Sequence, residues 1–103
     1  MGAKVIASVE NISDIPLAKM QGYERIAIVV SEWNQKITSN LLKGAQSVLL
    51  KYGVKEENLL IKYVPGSFEL PIAAQFIIES QAIDAVVCLG CVIQGETKHF
   101  DFV

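Results

Sequence analysis

From Arg25 onward the chain alternates between two apolar periods. Ile26-Ala27-Ile28-Val29-Val30 is an unbroken run rich in β-branched residues, which predicts a strand buried on both faces. Ile37, Leu41, Leu42, Ala45, Val48, Leu49 and Tyr52 then recur at steps of three and four. Lys36, Lys43, Gln46 and Lys51 fall on the other side, so residues 36–52 predict an amphipathic helix. Gly53 follows the last apolar position, where a left-handed residue ends a helix. Leu59 to Val64 predicts a second strand, stopped by Pro65-Gly66. The next helix starts near Phe68 or Glu69, because Pro71 is harmless in a first turn, whose amides have no intrahelical partner. Its predicted stripe is Ile72, Ala73, Phe76 and Ile77, with Gln75, Glu79 and Gln81 towards water. Ala85 to Gly90 predicts a third buried strand.

Upstream the periods fade. Val5, Ala7 and Val9 alternate with Lys4, Ser8 and Glu10 as in a short strand, and Ile12 to Gly22 reads as a connector. Residues 1–24 are thus expected to be an N-terminal strand and connector within one domain, 1–103. The order strand, helix, strand, helix, strand with short links predicts a parallel sheet of right-handed βαβ units with helices over its faces. A covered parallel sheet would continue with a further helix and strand, so the pattern reads as incomplete after the third strand.

Composition narrows the function classes. Hydrophobic residues make up 51% of the chain and charged residues 19%, which excludes a disordered segment. Nine Lys+Arg against eleven Asp+Glu give a net charge of −2, no basic excess for nucleic acid or an anionic membrane. The richest apolar stretch, Ala85 to Ile93, is far shorter than the roughly 18–20 residues of a membrane span. Glu10 and Asp14 among the first residues do not suit a signal peptide. With two cysteines in an apolar chain, these features lead to the expectation of a cytoplasmic protein. The apolar excess also suggests contacts with partner subunits.

Ligands of open parallel sheets bind beyond the carboxyl ends of the strands. Ser31-Glu32-Trp33-Asn34, Pro65-Gly66-Ser67-Phe68-Glu69 and Gln94-Gly95-Glu96-Thr97-Lys98-His99 all fall on that one edge. Trp33 reads either as a loop aromatic folded onto the core or as a stacking platform for a flat heterocycle. Asn34 and Ser67 read as helix caps or as ligand contacts, and Glu69 suits a first helical turn. Gly95-Glu96-Thr97 could offer backbone amides to a phosphate, although it lacks the Walker lysine and the dinucleotide glycine spacing. His99 is the sole histidine, a residue type whose reference acidity suits proton transfer near neutrality. Cys88-Leu89-Gly90-Cys91 is expected to be inert buried packing, since redox pairs of this spacing sit at helix N-termini. No metal site is expected, because a zinc ion would find only His99 as a further ligand.

Trp33-Asn34, Val64-Pro65-Gly66-Ser67-Phe68-Glu69-Leu70-Pro71 and Gly90-Cys91-Val92-Ile93-Gln94-Gly95-Glu96-Thr97-Lys98-His99-Phe100 strongly resemble lumazine synthase, from about Arg25 to the last residue. The resemblance implies a flavodoxin-like three-layer α/β/α sandwich with active sites between subunits of a pentamer, free or within an icosahedral capsid. It implies condensation of 5-amino-6-ribitylaminouracil with 3,4-dihydroxy-2-butanone 4-phosphate to 6,7-dimethyl-8-ribityllumazine, a step of riboflavin biosynthesis, without cofactor or metal. Trp33 then corresponds to the aromatic on the pyrimidine ring. Asn34, Ser67 and Glu69 correspond to contacts with the ribityl chain, and Phe68, Val92 and Ile93 border the ring. Glu96 and Thr97 lie in the phosphate loop, and His99 matches the proton-transfer residue. Members of that family are usually longer, and their extra segment supplies an Arg for the phosphate, a Lys near the pyrimidine and an aromatic for the neighbouring site. Two rival readings are an archaeal-type riboflavin synthase, which dismutates two lumazines, and a non-catalytic lumazine- or flavin-binding assembly module. A receiver-type signalling domain is disfavoured, because Ser31-Glu32 lacks the paired acids that hold Mg²⁺.

Overall fold

A computed structural model describes residues 21–93. The expected strand at Val5 to Val9, most of the connector before Gly22, and the segment carrying Glu96, Thr97 and His99 lie outside the described residues. Within them, the elements are β1 (Ile26–Ser31), α1 (Gln35–Lys51), β2 (Leu59–Val64), α2 (Leu70–Ser80) and β3 (Ala85–Leu89). Short 3₁₀ turns at Glu56–Asn58 and Ser67–Glu69 precede β2 and α2.

The strands form a parallel sheet in the order β2-β1-β3. The register pairs Ile26 with Leu59 on one side of β1 and with Ala85 on the other. β1 therefore gives both of its edges and both of its faces to the interior, and every one of its residues is buried. This is why its sequence needs no polar alternation. Ala27 and Val29 point to one face, where they pack with Leu70 and Ile77 of α2. Ile28 and Val30 point to the other, against Leu42 of α1. The period of two along β1 thus fixes a three-layer α/β/α arrangement, as the flavodoxin-like expectation required.

The helices begin and end for the local reasons the sequence gives. Gly53 follows α1 with φ +107°, and the Val54 amide donates to the Leu49 carbonyl at 3.0 Å, closing the last turn. Pro71 sits in the first turn of α2, and the 3₁₀ turn from Ser67 leads into it.

Three expectations about burial are corrected. On α1 the covered line is Thr38, Leu42, Ala45 and Leu49, while Ile37, Leu41 and Val48 are exposed. On α2 the covered line is Leu70, Ala73 and Ile77, and Ile72 and Phe76 face outward. Both apolar stripes are wider than the strip that a single sheet face can cover. β3 is an outer strand of the described sheet, so Ala85 and Cys88 are exposed rather than buried. No described helix is long and apolar enough to cross a membrane.

Candidate functional site

The chain leaves β1 towards β2 on one side and later returns to β3 on the other. The three strand ends therefore open around a crevice at the centre of the sheet. The crevice holds a cavity of about 440 Å³ lined by Trp33, Pro65, Gly66, Ser67, Glu69, Cys91, Val92 and Ile93. That volume lies within the range of small-molecule sites.

The wall carrying Trp33 is an extension of the sheet. Beyond the regular strands, the Glu32 amide donates to the Val64 carbonyl at 2.7 Å and the Trp33 amide to the Pro65 carbonyl at 3.1 Å. Trp33 is 51% exposed and its side chain helps line the cavity, so it is not folded onto the core. At the head of α1, Asn34 takes a left-handed conformation, with φ 59° and ψ 57°. Its carbonyl accepts from the Ile37 and Thr38 amides, but its side chain makes no capping bond. The carboxamide instead reaches across to β3's end, where Nδ2 donates to Cys91 Sγ at 3.7 Å.

The wall after β2 is built by the 3₁₀ turn. Glu69 Oε1 accepts from the Gly66 amide at 2.7 Å, which holds the carboxylate back over its own turn. Gly66, not Ser67, occupies the N-cap position. The expected capping role of Ser67 is therefore corrected: its buried hydroxyl donates to the Cys91 carbonyl, a long contact of 3.4 Å.

The structure thus brings Trp33, Ser67, Glu69, Val92 and Ile93 to one cavity, with Asn34 tied to it through Cys91. Phe68 does not line it; its side chain is 49% exposed. Cys91, which the strand-end pattern does not assign to the site, is among the lining residues. The expectation that both cysteines are buried is corrected. Cys88 is exposed and Cys91 lines the cavity. Partial desolvation nonetheless pushes the Cys88 thiol pKa up. Among the described residues, no cluster of three or more His, Cys, Asp or Glu could hold a metal ion.

A second cavity of about 370 Å³ is lined by Ser31, Glu32, Gln35, Thr38, Ser39 and Tyr63 among others. Ser31 is fully buried at the end of β1, and its hydroxyl has no hydrogen-bond partner among the described residues.

Residues 24–103 match the family model described as 6,7-dimethyl-8-ribityllumazine synthase. The chain is similar to the 6,7-dimethyl-8-ribityllumazine synthase of Cytophaga hutchinsonii, with 55% identity over 76 residues, covering 74% of this chain and 48% of that protein. It is 56% identical over 79 residues to the enzyme of the same name from Bacteroides fragilis, covering 77% of this chain and 55% of that protein. The match to the one from Phocaeicola vulgatus is 48% over 95 residues, covering 90% of this chain and 56% of that protein. The chain spans about half the length of the curated relatives it matches.

Proposed function

Because the chain belongs to the 6,7-dimethyl-8-ribityllumazine synthase family, we propose that it carries the pyrimidine- and ribityl-binding part of such an enzyme. The reaction joins 5-amino-6-ribitylaminouracil to 3,4-dihydroxy-2-butanone 4-phosphate and yields 6,7-dimethyl-8-ribityllumazine, phosphate and water. The supporting observation is the convergence of the β1, β2 and β3 ends on one cavity with an exposed indole at its mouth and polar groups deeper in.

In this reading Trp33 stacks on the flat pyrimidine. Asn34, Ser67 and Glu69 take the ribityl hydroxyls, and Val92 and Ile93 border the ring with main-chain groups. Phe68 borders the same ring from outside the cavity lining. The uracil amine adds to the ketone of the second substrate and loses water to give an imine. Phosphate is then eliminated, and ring closure with loss of water completes the lumazine. Glu96 and Thr97 offer backbone donors to the phosphate, and His99 moves protons. Alignment supplies most of the rate, and the single weak acid/base assists. Neither a cofactor nor a metal ion takes part.

The proposal extends to assembly. Exposed Ile72 and Phe76 on α2, with Ile37, Leu41 and Val48 on α1, provide apolar surface suited to neighbouring subunits of a homo-oligomer, a pentamer or a capsid of pentamers. The unpaired cysteines suit a cytoplasmic location. The domain is read as 1–103, with 1–24 as its N-terminal strand and connector.

The test is to incubate the full-length protein with both substrates and follow phosphate release together with lumazine absorbance. Product formation is expected. Riboflavin made from two lumazines would instead support the riboflavin synthase reading, and ligand binding without turnover the assembly module.

A further inference from the structure

Cys91 touches both polar walls of the main cavity. Its thiol accepts from Asn34 Nδ2, and its carbonyl accepts from Ser67 Oγ. Asn34 comes from the end of β1, Ser67 from the turn after β2, and Cys91 follows β3. A single residue beyond the third strand therefore meets polar side chains from the other two.

We propose that Cys91 is a positioning residue for the ribityl-binding side chains; this rests on the function proposed above. Asparagine at a helix head ordinarily turns its side chain back to cap the first-turn amides. Here the left-handed backbone of Asn34 swings the carboxamide away from α1, and the thiol receives it. With Nδ2 on the sulfur, the carboxamide oxygen becomes the acceptor offered to a ligand hydroxyl or ring N–H. A thiol is a weak acceptor, so it orients this group without holding it as tightly as a carboxylate would. The 3.4 Å contact of Ser67 with the Cys91 carbonyl has room to shorten when a ligand fills the cavity. The backbone carbonyl survives any substitution at position 91, whereas the thiol does not. Side-chain variants therefore separate the Asn34 arm from the Ser67 arm.

The experiment is a double-mutant cycle in the full-length protein, with Cys91→Ala, Asn34→Ala and the double variant. The probe is 6-ribitylaminouracil, which lacks the reacting amine, titrated calorimetrically. Each single variant is expected to weaken binding about three- to tenfold, the worth of one net hydrogen bond. The double variant should be no weaker than the poorer single one. Cys91→Ser, which keeps an acceptor, should stay within about twofold of the native protein. In turnover assays Cys91→Ala should raise KM for the ribitylaminouracil and leave kcat unchanged. A purely structural role would lower the melting temperature without this selective change. Unaltered affinity in Cys91→Ala, or losses that simply multiply in the double variant, would overturn the proposal. Coupled binding in a protein that makes no lumazine would overturn the function and leave the role of Cys91 standing. Turnover with uncoupled losses would do the reverse, and a native protein that does not bind the probe overturns both.

Discussion

Gly90 lies so close to Ser67 that a Cβ added to it would stand 2.6 Å from the Ser67 Oγ. The same atom would come within 2.9 Å of Leu70 Cδ1, at the start of α2. The missing side chain lets the end of β3 approach the turn that carries Ser67. Gly90→Ala is therefore expected to destabilise the fold by about 1–3 kcal/mol, the usual cost of overpacking. Urea denaturation measures it. Adding Ser67→Ala removes the nearest clashing atom, so the double variant should recover part of the loss. Strictly additive losses would show that the two residues do not meet.

Trp33→Ala is expected to weaken pyrimidine binding and to leave folding nearly unchanged, because the ring is half exposed at the cavity mouth. An aromatic contact contributes about 0.5–1.5 kcal/mol beyond the area it buries. Titration of 6-ribitylaminouracil against both proteins checks this. Equal affinities would reduce Trp33 to part of the wall.

His99→Asn should slow turnover of the full-length protein without abolishing it. General acid–base assistance gives about 10²–10⁴-fold, and the lower end or less is expected, since aligned amine and ketone form an imine slowly unaided. A rate profile across neutral pH decides the matter. Unchanged turnover throughout would remove His99 from the chemistry.

Ser31→Ala tests the buried hydroxyl beside the second cavity. Among the described residues that hydroxyl has no partner, and a hydroxyl that makes no hydrogen bond adds nothing to folding while its desolvation still opposes it. The variant should be neutral or more stable by up to about 1 kcal/mol, read from the melting temperature. A clear loss of stability would mean that the hydroxyl has a partner in the folded protein.

Cys88 should alkylate slowly at neutral pH in spite of its exposure. Desolvation disfavours the thiolate and raises the pKa, so less of the reactive form exists at any given pH. The rate should climb as pH rises beyond the range of an ordinary cysteine. Peptide mapping after timed iodoacetamide treatment gives the profile. Reaction at neutral pH as fast as that of free cysteine would contradict it.

How far the chain could be read follows from what periodicity encodes. Buried-strand character shows in the run Ile26 to Val30 because a central strand meets apolar matter on both faces. Helix limits show in Gly53 and Pro71 because backbone sterics act locally. The outward position of Ile72 and Phe76 does not show, since an apolar stripe says nothing of how much of it the neighbouring layer covers. Cys88 was misplaced for the same reason: its run looks like that of β1, but β3 lies at the side of the described sheet. For the site, the strand-end rule groups Trp33, Ser67 and Glu69, and the three do line one cavity. It could not assign Cys91, whose partner Asn34 is 57 positions away. Phe68 lies next to two cavity residues in sequence and yet outside the lining, because successive residues of a tight turn point in different directions.

The two hydrogen bonds that carry the β1–β2 ladder on to Glu32 and Trp33 have an entropic consequence. Loops that hold ligands commonly surrender freedom when they bind, and that ordering subtracts from affinity. Here the backbone beneath the indole has already lost its freedom when the sheet forms. The amides of Glu32 and Trp33 should exchange with solvent deuterium as slowly as those of a strand, with or without ligand. A heterocycle arriving at this wall meets a surface whose ordering was completed during folding.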